Sequence, residues 1–184
     1  MDFGKLLARV QAILLTPRSE WPRIAAEAAT VQGLYTGYIA WLAAIPVLCS
    51  LLAWNSTSLN ALVIAYLASL AGAYIVAIII DSLAPSFGGQ RDAIAAMKLV
   101  AYSATASWVA GVGELIPLVG WIVGLAGSAY SVYVLYLGLP ILMRCPPERA
   151  VLYTIVIVVL TLVLFGVLGA VMGGASVLGL GTLR

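Results

Sequence analysis

Residues 59–80 read LNALVIAYLASLAGAYIVAIII, and no charged side chain interrupts these 22 positions. A stretch of about 20 apolar residues is long enough to cross a hydrocarbon core of about 30 Å as an α-helix. Similar segments lie on either side of it, so the chain is predicted to cross a bilayer five times as an all-α bundle. The five segments are residues 34–53, 59–80, 94–112, 116–139 and 151–172.

The composition of the whole chain also favours a membrane protein. Of its 184 residues, 64% are hydrophobic and 9% are charged, and the mean hydropathy is +1.12. A soluble domain carries about 25% charged residues. The net charge of +2 is too small to indicate a nucleic acid as a partner. The start of the chain lacks the apolar core of a cleaved signal peptide, so we expect no such leader.

Residues 1–30 are the most polar part of the chain, and apolar positions recur there at three- and four-residue steps. That pattern predicts an amphipathic helix, which either lies in the cytoplasmic interface or packs on the protein's own cytoplasmic face. Thr16 and Pro17 are typical of the N-cap and first position of a second short helix. Four basic side chains are predicted to attract anionic lipid: Lys5, Arg9, Arg18 and Arg23.

The placement of lysine and arginine predicts the orientation. With the N-terminus in the cytoplasm, eight basic residues fall on the cytoplasmic side and only Arg184 falls outside. We therefore expect a cytoplasmic segment (1–30), a five-helix transmembrane bundle (31–175) and a short periplasmic tail (176–184). Cys49 and Cys145 would lie towards opposite sides of the membrane, and both are expected to be free thiols.

Ionisable residues at the ends of the spans are the first candidates for function, because charges beside a membrane are costly to keep. Asp81 follows the second span and Lys98 lies one turn into the third, so the two could pair, with Arg91 as a competitor. Glu114 is the one acid in the predicted outer half. With Tyr102, these residues could line an ion or proton path. Alternatively, they only fix loops at the membrane surface.

Two further features concern loops and packing. The pair Gly88 and Gly89 permits a tight turn after the second span, and Phe87 beside it could insert into a groove or the interface. In the fourth span, small residues recur every four positions, which predicts close packing inside the bundle, with a dimer interface as the alternative. These residues are Gly120, Gly124 and Ser128.

The residue types argue against catalysis. The chain has no histidine, which removes histidine-assisted nucleophiles and histidine-bound metals. It also lacks a phosphate-binding loop and a Gly-x-Ser-x-Gly motif. We expect no catalytic, cofactor or metal site. The leading interpretation is a non-enzymatic protein that associates with membrane lipids, with itself or with a partner membrane protein. The alternative is a small oligomeric transporter or channel that uses Asp81, Lys98 and Glu114.

A series of short motifs resembles the bacterial branch of the Yip family of five-span membrane proteins. The motifs are Leu14–Pro17 with Trp21, Phe87–Gly89, Ala101–Ser103, Tyr133–Pro140 and Pro146–Ala150. The resemblance covers about residues 10–172 and implies five helices, a cytoplasmic N-terminus and the bacterial inner membrane. Eukaryotic relatives bind Rab-type GTPases and work in vesicle traffic and membrane shaping. Their long N-terminal region, with its acidic-tyrosine-glycine-proline stretch, is absent here, so the resemblance implies a fold more than an activity.

Overall fold

The computed structural model describes residues 3–53, 58–116 and 118–177, with side chains as far as residue 170. Within these ranges all regular structure is helical. A π-helix (Tyr35–Ile39) and two 3-10 helices (Ala84–Phe87 and Gly111–Leu115) join or extend the α-helices. The α-helices are α1 (Phe3–Leu15), α2 (Pro17–Ala26), α3 (Val31–Leu34), α4 (Ala40–Leu52), α5 (Leu59–Leu83), α6 (Ala93–Ser103), α7 (Thr105–Ala110), α8 (Gly120–Leu142) and α9 (Pro147–Val177).

In this part of the chain, five helical stretches are long and apolar enough to cross a membrane, which confirms the predicted number. Residues 54–57 between the first two predicted spans, Pro117 within the predicted fourth span, and the tail beyond residue 177 with Arg184 lie outside the described residues. The second stretch continues past the predicted end at residue 80, because Asp81 lies inside α5 and does not end it. The stretches are Val31–Leu52, Leu59–Phe87, Ala93–Leu115, Gly120–Leu142 and Pro147–Ala170.

Local capping explains where several helices begin. Thr16 is the N-cap of α2 and Pro17 its first residue, as predicted, although the Thr16 hydroxyl donates to the Ala12 carbonyl and caps no N–H group. The Asp92 carboxylate accepts hydrogen bonds from the backbone N–H groups of Ile94 and Ala95, at 3.0 and 2.9 Å. It thereby satisfies two donors that the first turn of α6 leaves without helical partners.

The third span is the central helix of the bundle. In its most apolar stretch 67% of the residues are buried inside the protein, compared with 17% to 33% in the other four spans. Residues 95–103 of α6 are all buried. Several of them are alanine, and small side chains let neighbouring helices approach α6 closely from every side.

The two ends of the bundle differ in character. At one end, called here the basic end, segments 84–92 and 143–146 meet, and the Gln90 N–H donates to the Met143 carbonyl at 2.8 Å. The other end, called the far end, carries the 3-10 helix with Glu114. The largest fully buried side chains belong to the half nearer the basic end, and they include Trp21, Ile80, Leu99, Leu139 and Tyr153.

Candidate functional site

Helices α1 and α2 form a hairpin that is fastened to α8. The Tyr130 hydroxyl donates to the Leu14 carbonyl at 2.7 Å, and Trp21 Nε1 donates to the Val134 carbonyl at 3.1 Å. Side chains that bind backbone carbonyls in this way fix one helix against another without needing a matching side-chain partner. The hairpin is therefore part of the bundle.

The turn of the hairpin lies deep along the bundle. Tyr130 is 12 residues before the end of α8 at Leu142, which is about 18 Å along the helix axis, whereas half a hydrocarbon core is about 15 Å. Of the two placements predicted for the amphipathic segment, the structure has the one packed on the protein, with Ile13 fully buried. On its exposed surface α1 carries three large apolar side chains, Phe3, Leu7 and Leu15.

Gly138 allows this contact between α2 and α8. A Cβ atom at Gly138 would lie 2.7 Å from Trp21 Cε2 and 2.5 Å from Leu99 Cδ1, so only glycine fits without displacing these side chains. Sequence reasoning placed Gly138 in a family motif but did not identify this packing role. A glycine among large apolar residues near the end of a span is the signal that could have indicated it.

Lys98 does not pair with Asp81, which corrects one expectation from the sequence. Its Nζ donates to the Ile24 carbonyl at 2.8 Å and also to the Glu27 carbonyl. Both carbonyls belong to the end of α2, where the last carbonyl groups lack helical partners and the helix dipole is negative. Lys98 is buried, and its two hydrogen bonds hold the hairpin to α6. The two carbonyls at the negative end of the helix dipole compensate its charge in place of the carboxylate that was predicted.

Arg9 is the centre of an ionic cluster inside the hairpin. Its guanidinium contacts the carboxylates of Glu20 and Glu27, and it lies 5.8 Å from the centre of the Tyr102 ring. Burial lowers the pKa of Arg9, but the hydrogen bond and charge of Glu27, together with the charge of Glu20, raise it overall above its ordinary value. Arg9 is therefore not a bare cation on the surface of the hairpin, because two carboxylates hold its guanidinium.

Tyr102, a candidate from the sequence, joins this cluster to the first span. Its ring packs edge-on against Tyr38 at 4.7 Å between centroids and against Trp21 at 6.4 Å. The Tyr38 hydroxyl in turn shares a 2.7 Å hydrogen bond with Thr105, where α6 gives way to α7. These aromatic contacts connect the hairpin, the first span and the central helix.

A cavity of about 270 Å³ lies beside this cluster, between α1 and the first span. Lys5 and Arg9 line it from α1, Tyr38 and Tyr102 from the bundle, and Gly37 from the π-helix. None of the described residues that line it is acidic. Sequence reasoning did not identify this cavity, because no pattern in the sequence shows that α1 folds back over the first span.

The other predicted cationic residues of the hairpin, Arg18 and Arg23, are both exposed. Arg23 lies 3.5 Å from Glu20, at the edge of contact distance. Glu20 is buried, but the Arg23 side chain is 74% exposed and the contact is long, so it contributes little stability. Arg18 and Arg23 therefore present their charge at the surface of α2, whereas Arg9 is bound internally.

Asp81 pairs with Arg91, the residue predicted as a competitor of Lys98. The Nε and Nη2 atoms of Arg91 both donate to Oδ2 of Asp81, at 3.0 and 2.9 Å. The Asp81 side chain is 12% exposed and that of Arg91 is 63% exposed. The other carboxylate oxygen, Oδ1, is buried with no hydrogen-bond partner among the described residues. The pair links the end of α5 to the segment before α6.

The predicted turn after the second span is present. Gly88 has a φ of +76°, a left-handed conformation that glycine adopts without strain. A Cβ at Gly89 would lie 2.6 Å from the Met143 carbonyl oxygen, so glycine is also needed for the approach to segment 143–146. Phe87 stacks on Tyr153 with 4.5 Å between ring centroids, so it fills a groove of the protein itself.

Glu114 lies at the far end, where it accepts a hydrogen bond from Ser50. A cavity of about 360 Å³ lies between α5, the third span, α8 and α9. Neither Asp81 nor Glu114 lines this cavity. Several hydroxyl groups around it donate to carbonyls of their own helices, as Ser128 does to Gly124 at 2.8 Å. Its walls are therefore largely apolar, and they do not connect the two acids.

The predicted packing stripe on α8 divides into two parts. A Cβ at Gly120 would lie 2.6 Å from the Gly113 carbonyl oxygen, so Gly120 packs inside the bundle as expected. Gly124 does not, because no atom of the described residues outside its own helix lies within 4 Å of such a Cβ, and Ser128 is exposed. Close packing instead involves Gly127, whose Cβ would lie 2.3 Å from Ala110 Cβ. Within the described part of the chain, Gly124 and Ser128 therefore make no close helix contact of the predicted kind, and Ser128 instead borders the 360 Å³ cavity.

Comparison with known proteins gives matches over most of the chain. Residues 12–168 match the Yip1 domain. The chain is 27% identical over 167 residues to the inner membrane protein YohC of Escherichia coli K12, covering 80% of this chain and 85% of that protein. The YohC protein of E. coli O6:H1 matches with the same identity and coverage. No solved structure matches the chain.

Proposed function

The chain belongs to the Yip1 family of multi-pass membrane proteins, and from that premise we propose that it is a non-enzymatic protein of the bacterial inner membrane. It acts by associating with lipids, and through them with copies of itself or with a partner membrane protein. The similar YohC protein is named for the inner membrane. The N-terminus lies in the cytoplasm, an orientation supported by the bias of lysine and arginine to that side.

The hairpin of α1 and α2 is the observation that supports this proposal. It occupies only one half of the bundle's length and exposes Phe3, Leu7 and Leu15 on α1. On α2 it exposes the charges of Arg18 and Arg23. Apolar side chains beside exposed cations suit a surface that contacts one leaflet of anionic lipid. Each such cation adds about 1 kcal/mol of attraction near the membrane surface.

The test removes the two exposed arginines of α2 and leaves Arg9 in place, because Arg9 holds the hairpin together. The double variant Arg18→Gln/Arg23→Gln is extracted with its surrounding lipid in polymer-bounded particles from membranes containing phosphatidylglycerol. Wild-type particles are expected to be enriched in phosphatidylglycerol over the bulk membrane. The variant is expected to lose that enrichment by about tenfold or more, since about 1 kcal/mol is removed at each of the two residues.

Two exposed arginines outside the hairpin provide the matched control. Arg144→Gln/Arg149→Gln removes the same charge from the basic end and is expected to keep the enrichment. The proposal fails if wild-type particles show no enrichment. It also fails if both double variants lose phosphatidylglycerol equally, because the effect would then follow net charge and not the hairpin.

A further inference from the structure

We propose that the cavity between α1 and the first span binds the phosphate headgroup of a single anionic phospholipid. This inference rests on the proposed association with anionic lipid and gives that association a defined site. The cavity is distinct from the exposed face of α2 that carries Arg18 and Arg23. The two can therefore be tested separately.

The lining of the cavity suits a phosphate. Lys5 and Arg9 provide two cationic side chains on the wall formed by α1. A volume of about 270 Å³ corresponds to about nine water molecules at roughly 30 Å³ each, which is enough for a phosphate and its ester-linked carbons. Basic pockets between helices on the cytoplasmic side of membrane proteins bind lipid headgroups through the same chemistry.

Arg9 is oriented for such a ligand before it binds. Glu20 and Glu27 contact its guanidinium but do not line the cavity. A guanidinium has five N–H donors, more than these two carboxylate contacts use. The two carboxylates hold the guanidinium in place, so Arg9 supplies fixed donors, and Lys5 adds a second cationic side chain to the same wall. Fixing a donor in advance lowers the entropy lost on binding.

The opposite wall shows why the ligand is a lipid and not a free anion. Gly33 and Gly37 line it, and they lie within the first two turns of the membrane-crossing stretch that begins at Val31. Headgroups meet the hydrocarbon at about this depth. A phosphate bound here has its acyl chains already at the level of the membrane, whereas a soluble anion would have to leave water.

Gly37 leaves the cavity open. A Cβ at this position would meet no atom of the described residues within 4 Å outside its own helix. Gly37 also belongs to the π-helix Tyr35–Ile39, a wider turn that recurs at functional sites. An alanine therefore fits without strain, whereas a leucine would project into the space that the headgroup needs. This difference provides a matched pair of variants.

The experiment uses the full chain purified in detergent and incubated with equal amounts of phosphatidylglycerol and phosphatidylcholine. Native mass spectrometry then counts the lipids retained as collisional activation is increased. Wild type is expected to retain one phosphatidylglycerol in preference to phosphatidylcholine. Gly37→Leu is expected to lower this retention at least about tenfold and Gly37→Ala by less than about twofold. Lys5→Gln removes one cation and is expected to lower it about fivefold.

Equal retention of phosphatidylglycerol by wild type, Gly37→Leu and Lys5→Gln would overturn the site. If Gly37→Leu also lowers thermal stability, the substitution of exposed Lys5 decides, through the ratio of phosphatidylglycerol to phosphatidylcholine that Lys5→Gln retains, since a general loss of stability lowers both lipids alike. Displacement of the lipid by millimolar inorganic phosphate would overturn the lipid assignment. Arg18→Gln/Arg23→Gln is expected to keep the single lipid. If Gly37→Leu and Lys5→Gln keep the lipid in native mass spectrometry, the site is wrong. If Arg18→Gln/Arg23→Gln keeps the phosphatidylglycerol enrichment of the extracted particles, the proposed function is wrong. The two results are independent of each other.

Discussion

Asp81 and Arg91 differ in burial, so they contribute unequally to their ion pair. Removing Arg91 leaves a buried carboxylate without a partner, whereas removing the charge of Asp81 leaves an arginine that is 63% exposed to solvent. We expect Arg91→Gln to lower the free energy of unfolding by about 1–3 kcal/mol, the cost of a buried polar group that loses its partner. Asp81→Asn should cost less than about 1 kcal/mol.

Thermal unfolding of both single variants and of Asp81→Asn/Arg91→Gln, in one detergent, measures this difference. The double variant is expected to resemble Asp81→Asn, because no unpaired carboxylate remains. If Asp81→Asn lowers the stability more than Arg91→Gln does, contacts of Asp81 other than its ion pair are the more important ones. The explanation from burial is then wrong.

The sequence predicted some side-chain contacts and not others, for a physical reason. Asp81 and Arg91 have opposite charges at the two ends of one short loop, so their pairing was foreseeable. Among the described residues Lys98 has no acidic partner and instead binds carbonyls of α2. Backbone carbonyls occur at every residue and leave no mark in the sequence. The same holds for Trp21, whose Nε1 donates to the Val134 carbonyl.

The membrane-crossing helices were predictable because their length and hydropathy are set by the thickness of the bilayer. The placement of α1 was not predictable, since one apolar face serves equally well against lipid or against a neighbouring helix. Ile13 is fully buried, while Phe3 and Leu7 are exposed. Amphipathic periodicity identifies such a helix but does not decide which surface covers it.

The depth of the hairpin gives a testable prediction. Leu15, beside the turn between α1 and α2, is 79% exposed although it lies near the middle of the bundle's length. A nitroxide attached at Leu15→Cys in liposomes should therefore be accessible to oxygen and protected from a water-soluble nickel chelate. The native thiols Cys49 and Cys145 are buried, and burial raises the pKa of the Cys145 thiol. Labelling should therefore favour the introduced cysteine.

Ser86→Cys is the matched control for depth, because Ser86 is exposed in the 3-10 helix at the basic end. Its label should show the opposite preference, with strong access to the nickel chelate. A label at Leu15 that behaves like the label at Ser86 would mean that α1 lies flat in the interface and that the hairpin does not enter the leaflet.

The distribution of polar groups through the whole molecule bears on the alternative of a transporter. Asp81 belongs to the end of α5 near the basic end, and Glu114 belongs to the 3-10 helix at the far end. The 360 Å³ cavity between them has neither acid in its lining. An ion crossing the bundle would have to pass largely apolar walls between two distant carboxylates, which is energetically unfavourable.

We therefore expect proteoliposomes to show no flux of protons or monovalent cations that depends on Asp81 or Glu114. The assay loads a pH-sensitive dye inside liposomes, imposes a proton or potassium gradient and compares wild type with Asp81→Asn and Glu114→Gln. All three should match empty liposomes. Asp81→Asn is the informative variant, because its charge is removed while the surrounding packing is kept. Flux in wild type that falls in Asp81→Asn would require a connected polar path that forms when the helices around the 360 Å³ cavity separate. It would also replace lipid association with transport as the function of the bundle.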